Sequence, residues 1–242
     1  MHYNERLFGS NAIRSHLHLA RFKWLKNKLN DLVNGPVSIL ELGCFDGRSL
    51  DAISESVGYY EGFDANWEGG LDLAREKWKG VDQFHFYNCL NAIDFAPRKE
   101  IFDLSVCLET LEHLPLDQLD DFIHTLYEKT KSYCLVTIPN EHGIVFLLKY
   151  LFKRIIWGIK HPHYTKSEIW NATMGRCYKV KRLEKQHKGF DYREMIRSLS
   201  KKFSIVKTES IPIGILPKSL SFTIGLIMVP VSNLNDVSIY EK

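Results

Sequence analysis

Ser38-Ile39-Leu40-Glu41-Leu42-Gly43-Cys44-Phe45-Asp46-Gly47-Arg48 is the stretch whose reading decides the fold. Val37 to Leu42 is nearly all apolar, the pattern of a parallel strand covered on both faces. Gly43 and Gly47 then let the backbone turn tightly and come close to a ligand with no Cβ in the way. Spacing excludes two familiar loops. A dinucleotide fingerprint, G-x-G-x-x-G, would need glycine where Phe45 stands, and a P-loop would need a lysine that Gly47-Arg48-Ser49 does not supply. What remains is E-x-G-x-x-x-G between a buried strand and a helix, a loop suited to a nucleotide cofactor.

The following elements repeat the strand-helix alternation of an α/β fold. After a helix over 48–56, a strand over 58–63 runs into Asp64, about twenty residues beyond the loop, where a carboxylate can accept hydrogen bonds from both ribose hydroxyls. A helix over 68–79 precedes a third strand over 82–88. A fourth strand spans 101–107, a helix spans 117–131 after Pro115, and a fifth strand spans 132–138. A helix over 190–202 and strands over 203–211 and 222–229, the last two an antiparallel pair, complete the pattern.

Motifs in this order over residues 37–140 resemble motif I and its successors in the class I S-adenosylmethionine (SAM)-dependent methyltransferases. The resemblance implies a Rossmann-like, seven-stranded, mostly parallel sheet with helices on both faces and a helical insertion after strand five. It implies SAM as cofactor. Glu41, Gly43, Cys44, Phe45 and Gly47 would then wrap the amino-acid end of SAM, and Asp64 would hold the ribose. Asn88, where the family usually has Asp, and Cys89 would meet adenine, and Leu108 would close the cofactor set. A helix over 11–33 would lie over the cofactor, with Arg14 either at the SAM carboxylate or simply solvated.

Composition fits one domain over 1–242, divided into a cofactor core (36–140), a substrate-recognition insertion or lid (141–189) and a C-terminal helix with strands (190–242). Of its 242 residues, 45% are hydrophobic and 25% charged, and the net charge of +3 does not by itself demand a nucleic acid or membrane partner. Five scattered cysteines without a C-x-x-C pair read as small buried thiols. No signal-like N-terminus and no apolar run long enough for a bilayer is present, so cytoplasmic residence is expected.

The richest chemistry follows strand four, in Leu108-Glu109-Thr110-Leu111-Glu112-His113-Leu114-Pro115. Ligands of open α/β sheets bind beyond the carboxyl ends of the strands, so this segment faces the reacting atoms. E-x-x-E-H puts Glu109, Glu112 and His113 within one turn, from which they could converge on Mg²⁺ or another divalent ion. The segment is similar to one in ubiquinone-type O-methyltransferases and in small-RNA 3'-terminal 2'-O-methyltransferases, members of which hold a divalent metal there against two substrate oxygens. In other relatives a Glu-His pair at this place binds no metal. The second reading is a general base, with His113 first by position and His187 and His163 next.

Residues 141–189 replace a short connection and should choose the substrate. The run 143–160 is a basic amphipathic helix with Lys149, Lys153 and Lys160 on one face and aliphatic and aromatic residues around the rest. It can be a lid, an interface or a peripheral membrane contact. His161 to Trp170 offers groups that stack on sugar rings, with Thr165 or Ser167 as N-cap of the next helix. Lys179 to Lys188 is a basic run, a solvated face or a phosphate contact. The reading is O-methylation of a hydroxyl on a small molecule, sugar or lipid-linked saccharide. Its rivals are a quinone-precursor or RNA 3'-end O-methyltransferase and a catalytically silent SAM-fold scaffold, against which the intact Glu41, Gly43, Gly47 and Asp64 argue. Nucleic acid is disfavoured because no stacking platform with interleaved basic residues stands out.

Overall fold

A computed structural model describes residues 12–157, 164–183 and 187–233. Helix α1 (Ala12–Leu32) leads into β1 (Val37–Leu42), α2 (Arg48–Ile53), β2 (Val57–Asp64), α3 (Gly70–Lys77), β3 (Phe84–Asn88) and β4 (Phe102–Leu108). Then come α4 (Leu119–Lys129), β5 (Thr130–Pro139), α5 (Gly143–Trp157), α6 (Lys166–Thr173), α7 (Tyr192–Leu199), β6 (Phe203–Ile211) and β7 (Thr223–Pro230). The strands form one seven-stranded sheet in the order β3-β2-β1-β4-β5-β7-β6. β1 to β5 pair in parallel, and β7 runs antiparallel to both neighbours.

Consecutive side chains of a strand point to opposite faces, and β1 uses this to join two cores. Ile39 packs with Trp24, Leu25, Leu50 and Leu71 from α1, α2 and α3. Leu40 packs on the other face with Phe122, Ile123, Leu126 and Leu199 from α4 and α7. The order of connection reverses between β1 and β4, the place where open α/β sheets bind ligands beyond the carboxyl ends of their strands.

Several boundaries differ from the sequence reading for local reasons. The helix expected over 48–56 stops at Ile53 and finishes as a 3₁₀ turn. That expected over 68–79 begins at Gly70, because Glu68 takes a left-handed conformation (φ 50°). That expected over 190–202 shortens to Tyr192–Leu199, with the Asp191 carboxylate accepting from the Arg193 N–H at 3.0 Å as its cap. Residues 158–160 of the expected amphipathic helix lie outside the described residues. All five cysteines are free and buried. Among the described residues no helix is long and apolar enough to cross a membrane.

Candidate active site

At the end of β1 the backbone turns through Gly43 (φ 82°), and the N–H groups of Gly43 and Cys44 both donate to the Phe63 carbonyl, at 2.7 and 3.2 Å. Phe45 and Gly47 also take positive φ, 45° and 67°, and the loop delivers the chain into α2. A Cβ at Gly43 would overlap the Thr110 side chain, so the glycine loop and the turn after β4 are packed directly together. Asp64, at the end of β2, accepts from the Phe45 N–H at 3.1 Å and the Asn66 N–H at 2.9 Å. Burial raises its pKa although those donors and the Trp67 N–H pull it back. Three donors leave the carboxylate room for one more.

Glu41 is buried at the end of β1. Only 2% exposed, its carboxylate accepts from the Tyr60 hydroxyl at 2.6 Å and from Ser49, and burial pushes its pKa up to about 7. It braces β1 against β2 and α2. Cys44 is buried as well, and burial drives its thiol pKa well up. Asn88 is exposed and in register with Asp64, while the Cys89 N–H donates to the Asp64 carbonyl at 2.9 Å and its thiol turns to the Asn91 carbonyl at 3.4 Å. Leu108 is buried at the end of β4. The exposed Trp67, whose ring lies 6.4 Å from that of Phe45, joins this edge of the crevice. Sequence reasoning passed over it, although an aromatic three residues after Asp64 was a usable signal.

The turn after β4 divides the E-x-x-E-H residues between two environments. Glu109 adopts a left-handed φ of 52°, uncommon outside glycine, and its N–H donates to the Thr137 carbonyl at 2.9 Å. Its carboxylate forms an ion pair with Arg21, accepts from the Thr223 hydroxyl at 2.6 Å and lies 3.8 Å from His18 Nδ1. Burial would raise its pKa, yet Arg21, His18 and Thr223 hold it at about 2. Neither oxygen of Glu112, 1% exposed, has a hydrogen-bond partner among the described residues. Burial, and next the charge of Glu109, push its pKa well up.

His113 Nε2 stands 3.8 Å from Glu112 Oε1, and the His187 ring meets that of His113 edge-on at a centroid distance of 4.8 Å. The His187 segment is drawn over the turn by Arg182, which donates to the Glu112 carbonyl at 2.7 Å. One ligand atom each from Glu112, His113 and His187 lie within 4.8 Å of one another. Among the described residues, these three are the group whose geometry could hold an ion. Glu109, expected to be the third member, is taken up by Arg21 and Thr223, and His187 stands in its place. Burial lowers the His187 pKa to about 4 despite the opposing charge of Glu141, and its Nδ1 has no hydrogen-bond partner among the described residues. His163 and the side chain of Arg14 lie outside the described residues.

Lys149 of α5 turns inward. Lys149 donates to Glu141 at 3.0 Å and to the carbonyls of Asn140 and Phe222 at 2.9 and 3.3 Å. Thr165 caps α6 through a reciprocal box with Glu168, which also pairs with Lys188.

No protein-family model matches the chain, and no curated protein sequence matches it. Solved structures do. The chain is similar to magnesium protoporphyrin IX methyltransferase (ChlM) from Synechocystis PCC 6803 with bound SAH, at 14% identity over 93% of this chain and 91% of that one (TM-score 0.56). A SAM-dependent methyltransferase from Clostridium acetobutylicum ATCC 824 is similar at 14% identity over 94% and 95% (TM-score 0.60). The methyltransferase domain of bacterial-CtHen1-C is similar at 18% identity over 88% and 98% (TM-score 0.58). With this strand order and these neighbours, the chain has the fold of the class I SAM-dependent methyltransferases.

Proposed function

We propose that the protein is a SAM-dependent methyltransferase that methylates a hydroxyl group, with a sugar or lipid-linked saccharide as acceptor. The observation that carries the reading is the meeting of the Gly43–Gly47 loop with the Asp64 carboxylate at the crevice where the sheet order reverses. The cradle suits the cofactor: the positive-φ turn brings backbone close, and Asp64 offers charged acceptors to a ribose diol. SAM, when bound, supplies a methyl group already activated by its sulfonium.

The chain's own residues then have two tasks, to align the acceptor oxygen and to take its proton. The His113–His187 pair suits the second. His187 is neutral above about pH 4, its Nδ1 makes no hydrogen bond among the described residues, and His113 brings a second imidazole, its side chain 40% exposed. Exposed Trp170 and Tyr178 and half-buried Tyr164 in the insertion suit stacking on sugar rings, which supports the saccharide reading.

Glu112 favours a second reading of the same groups. A buried carboxylate with no hydrogen bond to either oxygen among the described residues, beside two imidazoles, fits a divalent cation such as Mg²⁺. Glu112, His113 and His187 would hold it, and there it would acidify a bound hydroxyl.

Calorimetry with S-adenosylhomocysteine tests the cofactor assignment. Micromolar binding is expected, and Asp64→Ala should weaken it by roughly tenfold to a hundredfold, since hydrogen bonds to a charged acceptor are worth ~1.5–3 kcal/mol. Unchanged affinity in the variant would remove Asp64 from the site and the proposal with it.

A further inference from the structure

We infer that the outer face of α5 docks the protein on an anionic lipid bilayer. In a water-facing helix the apolar stripe turns to the core and the charges turn outward. α5 carries apolar residues on its outer side as well. Val145 and Phe146 are buried, Lys149 is bound to Glu141 and the Phe222 carbonyl, and Ile144, Leu148, Leu151 and Ile155 form an exposed stripe at helical spacing, with Ile155 79% exposed. Among the described residues nothing covers these four.

Charge selects the occupant. Residues 141–189 contain eleven lysines and arginines against three acids, in a chain whose 32 basic and 29 acidic residues leave only +3 overall. Arg154 on α5 and Lys166, Arg176, Lys179 and Lys181 beyond it are exposed. A second copy meeting this face about a twofold axis would set cation against cation. An anionic membrane attracts the cations and receives the aliphatic stripe below its headgroups. A polyanion such as RNA would satisfy the charge and leave the stripe in water. The inference does not depend on the acceptor or on the cofactor.

Co-sedimentation of the full chain with vesicles tests it. Wild type should sediment with phosphatidylglycerol–phosphatidylcholine vesicles, roughly tenfold less with phosphatidylcholine alone, and less again in ~0.5 M salt, where the Debye length falls to a few ångströms. Leu148→Glu with Ile155→Glu should abolish sedimentation at an unchanged melting temperature. Leu148→Ser with Ile155→Ser serves if the charged pair melts early. Wild type that ignores both vesicles, or variants that bind as well as wild type, would overturn the inference. So would a wild-type dimer that the variant makes monomeric without any vesicle binding. Retention of a single-stranded RNA oligomer by wild type and variant alike, with no vesicle binding, would assign the face to nucleic acid instead.

Discussion

Arg21 on α1 and Glu109 in the turn after β4 form a largely buried ion pair across 88 residues of sequence. The pair fastens the N-terminal helix to the strained turn that carries the site's acids and imidazole. Removing the cation leaves a buried carboxylate uncompensated, which typically costs at least about 3 kcal/mol. Arg21→Ala should therefore lower the melting temperature by roughly 6–12 °C for a domain of this size. Adding Glu109→Gln should recover part of the loss. A single variant as stable as wild type would show that the pair holds nothing.

Base and metal make different demands on the same three residues. In a metal enzyme chelation abolishes turnover, Mg²⁺ or another divalent ion restores it, and Glu112→Ala, His113→Ala and His187→Ala are all crippled. A general-base enzyme ignores chelators. Loss of the base alone then costs ~10²- to 10⁴-fold in turnover. The acid limb of the pH profile names that base: activity that falls only as pH drops through about 4 identifies His187, whose imidazole is neutral above that value. A limb near the ordinary imidazole value of ~6.5 excludes it.

Glu41 makes stability depend on pH in the direction opposite to an ion-paired acid. Its folded pKa of about 7 lies above the ordinary 4.5, so the folded chain keeps a proton that the unfolded chain releases. This contribution is fully present below about pH 4.5 and is lost as pH rises through 7. At 1.36 kcal/mol per unit it amounts to about 3 kcal/mol at most. Denaturant titrations at about pH 5 and about pH 8 should show that loss in wild type. Glu41→Gln, which keeps an acceptor for Ser49 and Tyr60, should remove most of it, and an equal slope in both proteins would refute the assignment.

The sheet was legible in the sequence because its signals are local. The apolar run of β1, the glycines after it and Asp64 at the end of β2 each announce themselves within a few residues, and the strands lie where periodicity puts them. The site was legible only in part. E-x-x-E-H marks the turn, but whether Glu109 faces an ion or an arginine depends on Arg21 and Thr223, which reach it from distant elements. His187 enters the group because Arg182 reaches the Glu112 carbonyl, a contact that no spacing announces. In α5, Lys149 and Lys153 both act on Glu141, as the pattern indicates, while Lys160 lies outside the described residues. Which face looks inward was decided by Glu141 and the Phe222 carbonyl, so periodicity alone could not orient the helix.

β7 is buried along its whole length between β5 and β6, although it is the last strand of the sheet in sequence. On a ribosome adding ~5–20 residues per second, the edge of β5 stays open until residues 223–230 have emerged. Until then an apolar strand with unpaired backbone groups is exposed to other nascent chains. The protein must close its sheet late, and a chaperone that shields β5 during synthesis should raise the yield of folded chain more than one acting after release.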